Sequence, residues 1–316
     1  MHELFHAIRV FFDDLAAVGW TALGIALLLH FLRLCARVVG WRAILAAAYP
    51  GTRVPLTGVF GSYLAGVGVN SILPARSGDL LKLVLVKRRI PDSSHATLAP
   101  TLLVETLFDT AVAGALVAWA LTQGVFPSFH ALPSLPSIDW HWPIHHPKTA
   151  LVVGLVWVTV IALLVVIGVQ RVREFRQRFR QGFAILRQPR RFLTGVVTWQ
   201  SASWVFRAGS IYFFLEAFHV PGTLRNTALV LAVQSLSTLF PFSPGGIGTQ
   251  QGFLVFVFRG TGISKATLLS FSVGMQIATT VLNVALGFAA IAIMLRTIRW
   301  RQAILPDKEK AYARGP

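Results

Sequence analysis

Charged side chains interrupt an apolar stretch at Leu73-Pro74-Ala75-Arg76-Ser77-Gly78-Asp79, and Lys82 follows one helical turn later. An ionised side chain at membrane depth costs about 2.5 to 3.5 kcal/mol on insertion scales, so it must be paired or face water. Because a guanidinium can bind two phosphate oxygens at once, Arg76 with Lys82 predicts phosphate binding. The alternative is an Arg76–Asp79 ion pair that serves only the structure.

Two carboxylates, Glu105 and Asp109, lie four residues apart within a later apolar stretch. This spacing puts them on one face of a helix. They could take up and release protons during transport, or they could neutralise nearby cations, and we favour neutralisation. The candidate cations are Arg37, Arg76 and Lys82.

A second interruption runs through Phe242-Ser243-Pro244-Gly245-Gly246-Ile247-Gly248-Thr249. Irregular backbone at membrane depth is tolerated only where it is buried in protein or lines a wet cavity. The helices after both interruptions would begin near one interior site, and converging helix N-termini favour an anion such as phosphate. Glycines at 245, 246 and 248 would let the backbone approach that anion, although tight helix packing is the alternative.

Other kinds of chemistry lack their motifs in this sequence. The four histidines between residues 130 and 146 match no zinc-site spacing, and an interfacial loop with aromatic anchors is the better interpretation. There is no GxxxxGK[ST] phosphate loop, no GxSxG nucleophile motif, and a single cysteine, Cys35. We therefore expect no metal, no cofactor and no enzymatic activity.

Composition indicates the elements that must position these residues. Of 316 residues, 54% are hydrophobic and only 13% are charged, with a mean hydropathy of +0.64. These values exclude a typical soluble domain and predict an all-α polytopic membrane protein. The net charge of +17 lies mostly beside apolar runs, so positive-inside topology with attraction to anionic lipid explains it better than nucleic-acid binding does.

Apolar runs predict five full spans and two broken ones. The first apolar run extends from Val18 to Phe31. We interpret it as a retained span rather than a cleaved signal peptide, because basic residues follow it instead of preceding it. In the two broken stretches, the piece after the Pro/Gly motif is about ten residues long, half a bilayer, which favours re-entrant hairpins. The other full spans are 98–122, 149–170, 193–218 and 266–294, and the broken stretches are 56–90 and 226–260.

Loop charges predict the orientation. The segment from Arg171 to Arg191 carries eight arginines and one acid, so it should be cytoplasmic, as should the basic tail. The N-terminus and the 123–148 loop should then lie outside.

An internal repeat appears when the numbering is shifted by 170. The shift places Arg37 on Arg207, Pro74 on Pro244, and Gly78 on Gly248. Two such units joined by one extra span must be inverted, as in many secondary transporters. The predicted organisation is a single membrane domain with repeat 1 (17–122), an outer loop (123–148), a linking helix (149–170), a basic cytoplasmic loop (171–191), repeat 2 (192–294) and a basic cytoplasmic tail (295–316).

Three groups of residues resemble the lysylphosphatidylglycerol synthase transmembrane family of flippase-like proteins. They are the stretch Asn70 to Asp79, Glu105 with Asp109, and Pro244-Gly245-Gly246-Ile247-Gly248; Arg37 with Trp41-Arg42 resembles a further motif. The sequence departs from the family at Thr106, where an arginine is common, and at Gln250-Gln251, where a carboxylate often occurs. We also expect it to lack an additional first span that the family often has.

The resemblance implies a multi-pass protein of the prokaryotic plasma membrane that moves a lipid or lipid-linked sugar between leaflets. No cytosolic aminoacyl-transferase domain is expected in these 316 residues. Two alternatives are a membrane-embedded enzyme acting on a lipid phosphate, and an accessory subunit of a lipid-modifying enzyme or glycosyltransferase. The predicted substrate-binding residues are Arg37, Asn70, Arg76, Asp79, Lys82, Glu105, Asp109, Gly245, Gly246, Gly248 and Gln251, with helix breaks at Pro74, Gly78 and Pro244.

Overall fold

A computed structural model describes residues 17–73, 77–90, 93–123, 177–237, 248–259 and 261–296. The first half of this part of the chain contains four helices, and the second half contains four more after a series of short turns. The helices are α1 (Trp20–Ala48), α2 (Leu56–Ile72), α3 (Ser77–Lys87), α4 (His95–Thr122), α5 (Thr198–Ala217), α6 (Leu224–Ser237), α7 (Thr249–Val257) and α8 (Lys265–Arg296). The turns before α5 are a helical stretch at 177–182, a 3-10 turn at Ala184–Arg187, one α-turn at Pro189–Phe192 and a π-turn at Leu193–Val197.

Three helices of the described residues are long and apolar enough to cross a membrane: Trp20–Ala48, His95–Thr122 and Lys265–Met294. The last two contain the predicted spans 98–122 and 266–294. The predicted span 193–218 is helical, although it is more polar and does not join those three. The predicted span 149–170 lies outside the described residues.

Helix α1 is longer than the apolar run that predicted it. It continues from Phe31 to Ala48, through Arg33 and Arg37. An arginine can stay within such a helix when it faces other protein rather than lipid, because partners inside the bundle then replace water.

Separate described helices lie on either side of both predicted Pro/Gly breaks, whose central residues are outside the described part of the chain. Helix α2 ends at Ile72 and α3 begins at Ser77, while α6 ends at Ser237 and α7 begins at Thr249. Helices α3 and α7 have 11 and 9 residues, close to the ten residues predicted for the pieces that follow the breaks. Five predicted site and break residues lie outside the described residues, namely Pro74, Arg76, Pro244, Gly245 and Gly246.

The two halves use the same local signals at the same shifted positions. Ser94 caps α4 by accepting a hydrogen bond from the Thr97 backbone N–H at 3.2 Å, and Ser264 does the same for Thr267 before α8 at 3.0 Å. Such a cap satisfies one of the free amides at a helix start. All four helix starts of the second half agree, to within eight residues, with those of the first half shifted by 170.

Helix pairing also corresponds between the halves. Helix α1 packs along its counterpart α5, and this is the most extensive contact in the described bundle. Helix α2 packs on α8 while its counterpart α6 packs on α4, so each half contributes a helix to the other. Within the halves, α2 contacts α3 as α6 contacts α7, and α3 contacts α4 as α7 contacts α8.

Two apolar clusters form the core, and each is built mostly from one half of the chain. Leu45, Val59 and Leu98 are fully buried in the first cluster, and Leu215, Leu229 and Leu268, 170 residues later, are buried in the second. Other large apolar side chains are more than half exposed on the outer surface, which suits contact with lipid; they include Leu28, Leu107, Val205 and Phe288.

The two halves approach closely at a glycine contact between α2 and α8. A Cβ added to Gly68 would lie 2.8 Å from the Gly287 Cα and 2.9 Å from the Asn283 backbone oxygen. Small residues at a helix crossing let the backbones approach in this way. Gly114, within α4, has nothing within 4 Å of an added Cβ.

We predict that Gly68→Ala lowers the thermal unfolding temperature of the detergent-purified protein. The added methyl has no room, and overpacking of this kind costs about 1 to 3 kcal/mol. Gly114→Ala is the matched control and should leave the unfolding temperature unchanged or slightly higher, because alanine is the better helix former. Equal unfolding temperatures for the two variants would contradict the tight crossing.

Candidate functional site

A buried carboxylate, Glu105, joins three helices to its own. The Lys82 Nζ lies 3.1 Å from Glu105 Oε2, and the Arg37 Nη2 lies 2.8 Å from Oε1. The Tyr63 hydroxyl donates to Oε1 at 2.8 Å and accepts from Arg37 Nε at 2.6 Å. Because the Glu105 and Lys82 side chains are only 5% exposed, these contacts replace water as the stabilising partners of the charges.

Asp109, one turn further along α4, connects this cluster to the second half. Its Oδ2 accepts from Arg37 Nη2 at 2.7 Å, and its Oδ1 accepts from the Trp204 indole N–H at 3.0 Å. Trp204 lies on α5, and the Arg207 guanidinium stacks over its ring at 4.7 Å from the centroid. A chain of polar contacts therefore runs from Arg37 to Arg207.

Aromatic rings enclose the ammonium of Lys82. Its Nζ lies 4.0 Å from the Tyr63 ring centroid and 4.4 Å from that of Trp41. The electron-rich face of an aromatic ring attracts a cation, most strongly where water is excluded. Trp41 is held in place by its indole N–H, which donates to Thr101 Oγ1 at 3.1 Å.

The first helix break is held by Asn70. Its side-chain oxygen accepts from the Gly78 backbone N–H at 2.7 Å, and its amide nitrogen donates to Asp79 Oδ1 at 3.2 Å. A Cβ on Gly78 would clash with the Gly66 backbone oxygen, so only glycine fits here. Asn70, rather than an anion, satisfies the Gly78 amide at this helix start.

The second break is held in a similar way by Gln251. The Gln251 Oε1 accepts from the Gly248 backbone N–H at 2.7 Å, and its Nε2 donates to Gln276 Oε1 at 3.2 Å. Gly248 has φ of +90°, a backbone conformation that favours glycine.

A cavity of about 570 Å³ lies where α1, α2 and the helices of the second half converge. Pockets of about 300 to 1,000 Å³ are typical of sites for small molecules. Its walls combine apolar side chains with amides, hydroxyls and two arginines. The polar lining residues are His30, Arg33, Asn70, Ser71, Arg207, Ser210, Gln234, Gln250, Gln276, Thr279, Thr280 and Asn283.

The two arginines of the cavity have no carboxylate partner among the residues that the structure describes. Arg207 Nη2 donates to the neutral Gln234 Oε1 at 2.9 Å. The Arg33 Nε is buried and has no hydrogen-bond partner there, and the same holds for the Nε2 of Gln250, a residue only 7% exposed. These buried donors and cations suit an anionic ligand, because uncompensated charge and unpaired N–H groups are costly in a protein interior.

Part of the cavity wall is ordered by hydrogen bonds among His30, Asn283 and Ser71. Asn283 Oδ1 lies 3.0 Å from His30 Nε2, and the Asn283 amide nitrogen donates to Ser71 Oγ at 3.2 Å. These hydrogen bonds tie α1, α8 and α2 together beside the cavity. Among the described residues, no group of three or more His, Cys, Asp or Glu side chains is placed to hold a metal ion.

The structure divides the predicted site residues into two groups. Arg37, Lys82, Glu105 and Asp109 form the ion-pair cluster, an arrangement in which the carboxylates neutralise cations. Asn70 lines the cavity, while Asp79 and Gly78 lie at the break beside it, and Gly248 and Gln251 lie at the other break. A role in substrate binding remains a prediction for these residues, apart from Gly78, which was predicted only as a helix break, and for Arg76, Gly245 and Gly246 outside the described residues.

Sequence reasoning missed the cations of the cavity as site residues. The repeat identifies Arg207 only as the counterpart of Arg37, and Arg33 is one of the basic residues that follow the first apolar run. A comparison of the two shifted segments could have identified Arg207. At the shift of 170, Met275 and Thr279 occupy the positions of Glu105 and Asp109, so Arg207 lacks the acids that neutralise Arg37.

Comparison with known proteins adds one finding. The family described as Lysylphosphatidylglycerol synthase TM region matches this chain over residues 6–287. Among curated proteins, no match to the chain is found.

We predict that Glu105→Gln destabilises the protein by about 3 kcal/mol or more, because it leaves two buried cations without their shared carboxylate. Asp109→Asn is the matched control and should cost less, since Asp109 is 26% exposed and Arg37 keeps Glu105. Thermal unfolding of both variants in the same detergent measures the difference. A larger loss for Asp109→Asn would show that Glu105 is not the centre of the cluster.

Proposed function

The chain belongs to the lysylphosphatidylglycerol synthase transmembrane family, and from that premise we propose that it moves an anionic lipid between the membrane leaflets. The family makes it a membrane protein linked to lipid synthesis or flipping. The proposed cargo is a phospholipid or a polyprenyl-phosphate-linked lipid whose phosphate enters the cavity. We propose no covalent chemistry for this chain and a location in a prokaryotic plasma membrane.

The observation that carries the proposal is that two arginines at equivalent positions of the shifted numbering have different partners. Arg37 contacts two carboxylates at 2.7 and 2.8 Å. Arg207, 170 residues later, has only Gln234 and the Trp204 ring as described partners and faces the cavity. A cation in a membrane protein needs an anion or water, and a lipid phosphate would supply that anion.

The cavity would lower the main barrier to lipid movement. Transfer of a phosphate from water into hydrocarbon is opposed by the loss of its hydration. Arg207 and Arg33 would replace part of that hydration while the acyl chains remain in the lipid. Amides and hydroxyls around the cavity would satisfy the remaining polar groups of the headgroup.

We further propose that the two halves are inverted repeats whose broken helices re-enter the membrane, with the N-terminus outside and the C-terminus cytoplasmic. The shifted helix starts and the exchanged packing of α2 on α8 and α6 on α4 support this proposal. A substrate site between two such repeats is typical of secondary transporters. The cavity, lined by helices of both halves, fits that expectation.

We expect Arg207→Gln to reduce the translocation of fluorescent phosphatidylglycerol by about tenfold or more in liposomes that contain the purified protein. A charge-assisted hydrogen bond contributes about 1.5 to 3 kcal/mol, and 1.4 kcal/mol corresponds to tenfold. Dithionite quenching of the outer leaflet measures the rate.

Arg190→Gln is the control for that experiment, because it removes the same charge from an exposed position outside the cavity. It should translocate lipid at the wild-type rate. If folded wild-type protein moves no phosphatidylglycerol and no polyprenyl-phosphate lipid, with or without a pH gradient, transport by this chain is refuted. An activity that appears only with a co-purifying enzyme would identify an accessory subunit instead.

Cysteine labelling tests the inverted repeat. Arg53 and Thr223 are exposed, occupy equivalent positions at the shift of 170, and follow α1 and α5 respectively. In a Cys35→Ser background, an impermeant maleimide added to intact cells should label Thr223→Cys but not Arg53→Cys. Permeabilised cells should label both, which controls for reactivity.

Labelling of both cysteines in intact cells, or of neither, would place the two positions on one side of the membrane. That result would exclude inversion and leave a parallel repeat.

A further inference from the structure

We infer that the cavity selects headgroups whose only charge is a phosphate and whose other polar groups are hydroxyls, and that it rejects headgroups carrying an amine. This inference rests on the proposed function and narrows its substrate class. Glycerol phosphates and sugar phosphates share the chemistry, in phospholipids and in polyprenyl lipids respectively. Three features of the cavity support this selection: its two cations, its unpaired hydrogen-bond donors, and the uncharged amides and hydroxyls of the remaining lining.

The charge of the cavity is one-sided. Two guanidinium groups line it, and none of the lining residues that the structure describes is an Asp or Glu. The carboxylates Glu105 and Asp109 are both bonded to Arg37 and do not line the cavity. An ammonium on the headgroup would therefore meet two guanidinium groups in the cavity, while the carboxylates stay outside its lining and in contact with Arg37.

The unused hydrogen-bonding groups of the cavity are donors. The unpaired buried atoms of its lining are Arg33 Nε and Gln250 Nε2, within the described residues. Each requires an acceptor oxygen. An ammonium is a donor only, so it cannot satisfy either atom, whereas phosphate and hydroxyl oxygens can satisfy both.

The remaining polar lining suits hydroxyl groups. Thr279 and Thr280 add hydroxyls, and Gln276 and Asn283 add amides, which both donate and accept. Asn283 is already oriented by His30 and Ser71 at 3.0 and 3.2 Å. Groups of fixed orientation discriminate well, because their unmet hydrogen bonds penalise a ligand that cannot complete them.

One residue offers a way to reverse the selection. Gln234 accepts from Arg207 through Oε1 and points its Nε2 towards the Met275 sulfur at 3.8 Å. Gln234→Glu changes the shape of the side chain little and places a carboxylate directly on Arg207. The variant should neutralise that cation and admit an amine.

The experiment compares three fluorescent lipids in liposomes: phosphatidylglycerol, a glycosyl phosphopolyprenol, and lysyl-phosphatidylglycerol. We expect wild-type protein to move at least one of the first two at least tenfold faster than the lysyl lipid. The lipid that moves, phosphatidylglycerol or the glycosyl phosphopolyprenol, identifies the class of lipid that carries the headgroup. Gln234→Glu should reduce this preference at least tenfold, while Gln188→Glu, the same change outside the cavity, should retain it.

Equal or faster movement of the lysyl lipid by wild-type protein would overturn the inference and leave lipid transport standing. Failure to move any lipid would refute the proposed function instead. A binding measurement then tests the selection separately: short-chain phosphatidylglycerol should raise the unfolding temperature of detergent-purified wild-type protein more than its lysyl derivative. An equal or greater rise with the lysyl derivative would overturn the inference.

If Gln234→Glu does not elute as a folded monodisperse species, Arg33→Gln replaces it. Arg33→Gln should also reduce the preference for the anionic lipid, because it removes a cavity cation and an unpaired donor. An unchanged preference in a folded cavity variant would contradict the selection by charge.

Discussion

The first half of the bundle depends on the buried carboxylate of Glu105. It receives Arg37 from α1, Tyr63 from α2 and Lys82 from α3, so four helices meet at two oxygen atoms. Ion pairs withdrawn from water are stable only if nearly all their hydrogen bonds are made, and the cluster meets that condition through Tyr63 and the rings around Lys82. The short α3 has few residues with which to anchor itself, and Lys82 provides one of its attachments.

The second half has the same helices without the same charges. Where Glu105 and Asp109 neutralise Arg37, Met275 and Thr279 leave Arg207 beside a cavity with only neutral hydrogen-bonding partners in the described structure. In the proposed repeat, the arginine without acidic partners among the described residues is the cation that we expect a ligand to use. The contact from Asp109 through Trp204 to Arg207 joins this cation to the cluster in the first half.

Much of this arrangement follows from local patterns. The Pro/Gly motifs predict the end of α2 and the start of α7, and helix spacing predicts that Glu105 and Asp109 share a face. The length of α1 was underestimated, because hydropathy registers Arg33 and Arg37 as an end although burial against other helices lets the helix continue. The sequence also could not predict that Asn70 and Gln251 accept hydrogen bonds from the free amides at the two helix starts. Which side chain reaches such an amide depends on packing across the break. Pairing between distant helices, and hence the cavity, cannot be obtained from spacing within a single helix.

The size of the cavity limits how much of a lipid it could enclose during transport. At about 570 Å³ it matches a site for a small molecule, and a lipid with two acyl chains is much larger. In the proposed transport, only the headgroup would be enclosed, and the chains would trail through a lateral opening between helices into the bilayer. The length and saturation of the chains should then matter little, and the protein would act on an amphiphile by handling its polar end alone.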